Sequence, residues 1–259
     1  MEIALIIIFF VLGIIFGSFY NVVAFRLSNG GSLVKPKRSY CPSCNHTLNN
    51  KDLIPILSFI LLKGKCRYCK SKISYFYPLM ELFCGLLFAI SYYSFGLSYE
   101  LLLSLVFSSF FIIIIVTDLN YYIIPDEVNI AFAILVFLCN ILIHGFIGAL
   151  TYLGYGVILF LSMYLLMIIG NFIFKQESLG GGDIKLCFAL GMTLPLILSY
   201  VSLALASVIA LPVSVYLYIK NHDKILPFGP FLIAGFFILY LFKIDANTIY
   251  QFLINISIF

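Results

Sequence analysis

The chain has 259 residues, 63% of them hydrophobic and only 10% charged, with a mean hydropathy of +1.12. A soluble domain is about 45–50% apolar and about 25% charged, so this composition leaves too little polar surface to cover a water-soluble globule. Disordered chains, coiled coils and secreted disulfide scaffolds are excluded as well, since each needs more charge or far more cysteine. What remains is an all-α polytopic membrane protein.

A spanning helix takes roughly 20 mostly apolar residues. The first predicted span runs from Ile3 to Phe25. A cleaved signal peptide is the rival reading, but Glu2 stands where a positive n-region is needed and the apolar run is too long. A polar segment follows, and further spans are predicted at Phe76–Phe95, Leu97–Thr117, Val128–His144 and Ile147–Phe174. The stretch Leu186–Ile219 is too long for one span, and Pro195 divides it into two helices, the first short. A last span starts near Phe231 and is interrupted by Lys243 and Asp245, which brings the predicted total to eight.

Polar residues are concentrated rather than scattered. Ten of the fifteen Lys and Arg lie between Arg26 and Lys72, offset there only by Asp52. The positive-inside rule makes this a cytoplasmic loop, not a nucleic-acid-binding face. Eight alternating spans then put the N-terminus outside, and Lys175, Lys185, Lys220 and Lys224 also fall inside, leaving only Lys243 outside. The loops Asp118–Glu127 and Lys175–Lys185 emerge on the same cytoplasmic face, and they hold Asp118, Asp126, Glu127, Glu177 and Asp183. Carboxylates at membrane boundaries are costly and usually functional; for Glu127 and Glu177 simple solvation is the preferred reading.

The basic loop contains Cys41-Pro-Ser-Cys44 and Cys66-Arg-Tyr-Cys69, two C-x-x-C turns 21 residues apart. Paired turns at this spacing read as a tetrahedral site of four thiolates for a structural Zn²⁺, with no open position for water. A redox pair is the alternative, and disulfides suit a reducing loop poorly. His46 is near but not required. Cys84, Cys139 and Cys187 lie in apolar segments and read as packing residues.

Two further segments carry chemistry. Asp118 ends a predicted span, and Asp183 follows Gly180, Gly181 and Gly182 at the expected N-cap of an apolar helix. The glycines permit close backbone approach. A phosphate-binding turn would need Lys-Ser/Thr where Asp183 stands. A metal pair lacks further ligands at suitable spacing, and neither an H-E-x-x-H motif nor a Ser or Cys nucleophile beside a His is evident. Two aspartates meeting at a membrane surface instead suit a dyad that shares one proton and titrates as a unit. A multi-span transporter with a zinc-stabilised loop, or an inactive pilus-assembly scaffold, would also explain the hydrophobicity and the cysteines.

With these residues in place, the sequence resembles the type IV prepilin peptidases, bifunctional leader peptidase/N-methyltransferases of the GxGD aspartic protease class. The likeness rests on Gly17-Ser18-Phe19-Tyr20-Asn21-Val22-Val23 with Arg26-Leu27, the two C-x-x-C turns, and Pro55-Ile56-Leu57-Ser58 between them. It continues through Ile73-Ser74, Tyr77-Pro78 and Glu81, then Asp118 with Ile124-Pro125-Asp126, and Gly180-Gly181-Gly182-Asp183. The resemblance implies that Asp118 and Asp183 are catalytic, supported by Gly180, Gly181, Gly182 and Asp126. It implies prepilin and pseudopilin substrates, cut after a glycine on the cytoplasmic side of a bacterial plasma membrane. It also implies methylation of the new N-terminus from S-adenosylmethionine, for which Lys72 and Glu81 are the expected residues. Phe76 stands where the family commonly has Arg. The expected organisation is a first transmembrane helix (1–25), a zinc-binding and methyltransferase-type loop (26–75) and a transmembrane peptidase core (76–259).

Overall fold

A computed structural model describes residues 2–34, 38–175, 179–221 and 226–244. Besides a short 3-10 helix at Asn50–Asp52, eight α-helices occur among the described residues: α1 (Glu2–Ser28), α2 (Leu57–Leu61), α3 (Phe76–Phe95), α4 (Tyr99–Tyr121), α5 (Asp126–Phe174), α6 (Gly181–Gly191), α7 (Leu196–Asn221) and α8 (Gly229–Leu241). Strands are absent among the described residues, where two isolated β-bridges occur instead. Five helices, α1, α3, α4, α5 and α7, are long and apolar enough to cross a membrane. Glu177, Lys224 and Asp245 lie outside the described residues.

Local chemistry explains the boundaries. Ser98 caps α4, its Oγ accepting the Leu101 N–H at 3.2 Å, and Tyr122 closes that helix in the left-handed region. Asp118 therefore lies one turn inside α4 rather than at its end. The 49 residues of α5 are broken at Gly145, with φ 72° and ψ 175°. At about 1.5 Å per residue an unbroken helix of that length would be about 74 Å long, far beyond a bilayer of about 30 Å. The two arms match the separately predicted spans on either side of Gly145. At 11 and 13 residues, α6 and α8 are shorter than a simple crossing.

The central helix is α4, which packs against α1, α3, α5 and α8. Every residue from Phe110 to Val116 is buried, so α4 is enclosed on all sides. Between α3 and α4 the hydroxyls of Ser91, Ser104 and Ser108 bond to one another and to helix carbonyls, so each of these three buried groups is satisfied.

Helix α1 approaches α3 through small residues. A Cβ on Gly13 would stand 2.6 Å from the Cys84 carbonyl oxygen, and one on Gly85 would stand 2.8 Å from Ile14 Cγ1. Gly13→Leu is therefore expected to part the two helices and cost about 1–3 kcal/mol, read as a lower melting temperature in detergent. Gly154→Leu, where the added Cβ meets open space, should leave it unchanged. Equal effects of the two would refute close packing at Gly13.

Candidate active site

Asp118 is buried, at 6% exposure. Its Oδ2 accepts the Gly229 N–H at 3.0 Å, a contact between α4 and the first residue of α8. Glycine is required for it: a Cβ at 229 would stand 2.8 Å from Ile124 Cδ1 and 3.0 Å from Asp118 Oδ2. Pro230 directly after it suits the first turn of a helix, where its missing N–H costs nothing.

Asp183 comes from a different helix and reaches the same place through Ile124, which meets both Gly182, just before Asp183, and Gly229, whose amide bonds Asp118. Its position corrects the N-cap expectation. Gly180 is the N-cap, and Gly181 and Gly182 already belong to α6, so Asp183 is the third helical residue. The helix begins earlier because the glycines adopt helical geometry themselves. An acid in the first turn still faces the positive end of the helix dipole. Asp183 Oδ2 lies 3.0 Å from where a Cβ on Gly180 would stand, and a Cβ on Gly182 would meet Ile124 Cβ at 3.2 Å. Gly181 faces open space. Two of the three glycines thus let the loop sit against the carboxylate and the Ile124 turn.

Asp126 has another partner. Lys185 Nζ donates to both its oxygens, at 2.7 and 2.9 Å, on an exposed surface. This pair ties the start of α5 to α6, two residues beyond Asp183. Neither Gly229 nor Lys185 was singled out from the sequence as part of the site.

At the same end of the bundle, where Asn29 Nδ2 after α1 donates to Tyr121 Oη of α4 at 3.2 Å, stands the cysteine loop. The sulfurs of Cys41, Cys44, Cys66 and Cys69 all lie within 4.8 Å of one another. Both turns have one form. The Cys41 N–H donates to the His46 carbonyl and the Cys66 N–H to the Ser71 carbonyl, with Asn45 and Lys70 in the left-handed region. The His46 and Tyr68 rings join the turns, with centroids 3.6 Å apart. The cluster can hold a metal ion: Zn–S bonds of about 2.3 Å in a tetrahedron place sulfurs about 3.8 Å apart, the separation of Cys41 from Cys69. Desolvation opposes it, yet the Cys44 and Ser43 amides bring the Cys41 thiol down to about 6. The His46 amide acts in the opposite sense on Cys44, but desolvation and the neighbouring sulfurs push that thiol up to about 11. One thiolate discourages the next, a charge conflict that a dication resolves.

A cavity of about 610 Å³ opens between this loop, the end of α1 and the start of α3. Lys72 and Glu81, placed together on resemblance alone, both line it, with Arg26, Asp52 and Tyr77. Glu81 is buried, and its Oε2 accepts the Ile56 N–H at 2.8 Å. Desolvation acts to raise Asp52, yet the Arg67 guanidinium at 2.6 Å, with the Asn49 amide and Tyr68 hydroxyl, holds its carboxyl below the usual range.

Comparison with known proteins identifies the family. Residues 11–95 match the Bacterial Peptidase A24 N-terminal domain and residues 105–215 match the Type IV leader peptidase family. The Prepilin leader peptidase/N-methyltransferase of Bacillus subtilis is 34% identical over 261 residues, covering 97% of this chain and 98% of the relative. The Type 4 prepilin-like proteins leader peptide-processing enzyme of Escherichia coli O78:H11 is 35% identical, covering 86% of this chain and 88% of its own. The Prepilin leader peptidase/N-methyltransferase of Neisseria gonorrhoeae is 30% identical, covering 89% and 88%. No solved structure is a significant match. Similarity of this extent and coverage establishes that the chain belongs to the type IV leader peptidase family, and that it is a membrane protein with a Cys₄ cluster beside its helical bundle.

Proposed function

We propose that this protein is an aspartic endopeptidase that removes the basic leader of prepilins and pseudopilins, and then methylates the new N-terminus. The observation that supports the reading is that Ile124 meets both Gly182, next to Asp183 on α6, and Gly229, whose amide bonds Asp118 on α4. One carboxylate accepts a proton from water as its oxygen attacks the scissile carbonyl carbon, and the other protonates the carbonyl oxygen. Collapse of the tetrahedral intermediate breaks the C–N bond, and the departing amine takes the proton. The Gly229 amide fixes one Asp118 oxygen, which leaves the other for water or substrate.

The end that carries the dyad also carries the basic loop, so the positive-inside rule places the cleavage site at the cytoplasmic face of the plasma membrane, with the N-terminus outside. The four cysteines fit a structural Zn²⁺, which would hold the two turns as one unit. The cavity lined by Lys72 and Glu81 fits S-adenosylmethionine in size and in its mixture of charged and aromatic walls; bound there, that molecule supplies the methyl group. Lys72 would meet the donor's carboxylate. Glu81, braced by the Ile56 amide, faces the same space.

The test is incubation of the purified protein in proteoliposomes with a prepilin. Mass spectrometry should find the free leader and a shortened pilin, whose mass rises by one methyl when S-adenosylmethionine is present. An intact prepilin, together with ion flux across the liposome membrane, would favour a transporter instead.

A further inference from the structure

The segment between the two cysteine turns has two sides. Ile56, Phe59 and Leu62 line the cavity. Ile54, Leu57, Ile60 and Leu61 instead face outward, at 45, 58, 62 and 78% exposure. Four large aliphatic side chains bared within eight residues form a patch, not the scattered apolar exposure normal for a protein surface.

The height of this patch says what covers it. The Ile56 N–H bonds to Glu81, the sixth residue of α3. At about 1.5 Å per residue this fastens the start of α2 about 8 Å along α3 from its first residue. The Phe59 ring also meets the Tyr75 ring at 5.2 Å. The start of α2 is thus held level with Leu79 and Leu82, exposed apolar residues of α3, and its middle beside Tyr75, just before α3 begins. The turn is held firmly: Ile56 keeps a φ of 60°, costly for a β-branched residue and retained only where surroundings impose it. Exposed lysines 51, 63 and 65 flank the patch in a loop whose only acid is Asp52.

We propose that α2 is an interfacial foot, with Ile54, Leu57, Ile60 and Leu61 seated in the headgroup–acyl boundary of the leaflet on the loop side, and the flanking lysines on anionic headgroups. Apolar side chains at such a boundary lie about 5–10 Å deep, matched to basic residues above them. The bilayer then forms the outer support of the cavity wall, because the opposite side of the same five-residue helix lines that cavity. This inference does not depend on the peptidase or methyl-transfer reading.

The chain contains no Trp, so an introduced Trp is a sole reporter. Leu61→Trp in vesicles of anionic phospholipid should emit to the blue of Thr47→Trp, at an exposed position in the first cysteine turn. It should resist iodide, and lose about half its emission when the lipids are brominated high on the acyl chain. Ile60→Trp serves as a second reporter should the first variant fold poorly. Iodide access equal to that of Thr47→Trp, with no quenching by brominated lipid, would overturn the foot. So would protection that arises only on addition of a prepilin, which would assign the face to substrate. Quenching that is the same in neutral lipid would remove the role given to the lysines.

Discussion

Asp118→Asn and Asp183→Asn should each lower prepilin cleavage by about 10³-fold, within the range by which a positioned proton-transfer group accelerates a reaction. Asparagine keeps the shape of aspartate and an oxygen that can still accept the Gly229 N–H, so α4 and α8 should remain joined. The change is confined to proton exchange. Asp126→Asn is the natural comparison: its partner is Lys185 on an exposed surface, where ion pairs contribute about 0–1 kcal/mol. That variant should keep at least about a tenth of the wild-type rate. Rates from initial cleavage, with melting temperatures to show intact folding, decide the matter. A wild-type rate in either dyad variant, or a loss at Asp126 as deep as at Asp118, would refute the assignment.

The second large effect is expected at the cysteines. Cys41→Ser should reduce bound zinc from about one ion per chain to almost none, since a structural site relies on its full set of four ligands. Elemental analysis of purified protein measures this directly, and unchanged zinc would reject the site. The consequence should divide the two activities. Cys41 and Cys66 line the cavity between α1 and α3, so methylation should fall with the metal. Asp118 and Asp183 stand on α4 and α6, outside the cysteine turns and outside the lining of that cavity, so cleavage should persist.

How legible the molecule is from its residues depends on how far apart the contacting groups lie in the chain. The apolar runs predict the helices well because length and hydropathy are local properties; Phe76–Phe95 coincides with α3. The four cysteines are readable for the same reason, as each turn contains two ligands. Asp118 and Asp183 stand out because a carboxylate beside an apolar helix needs a reason to be there. The details that sequence reading missed are long-range. Gly229 meets Asp118 across 111 positions, and Lys185 meets Asp126 across 59. Gly229-Pro230 does carry a signal for a helix start, but nothing in that dipeptide says whose carboxylate its amide will meet. The start of α6 differs from the sequence reading because three glycines read as loop, whereas Gly181 and Gly182 are helical and Gly182 packs against Ile124.

The reach of the Gly229 contact also sets an order of events during synthesis. Asp118 leaves the ribosome well before Asp183, and the amide that steadies it follows only with α8. Through the insertion of α4 and α5 the first carboxylate has neither its partner nor its anchor in place, and until α8 follows it still lacks the anchor. On the dyad reading, a nascent chain that stops short of Gly229 is expected to be proteolytically silent, and the capacity to cut to arrive only with α8.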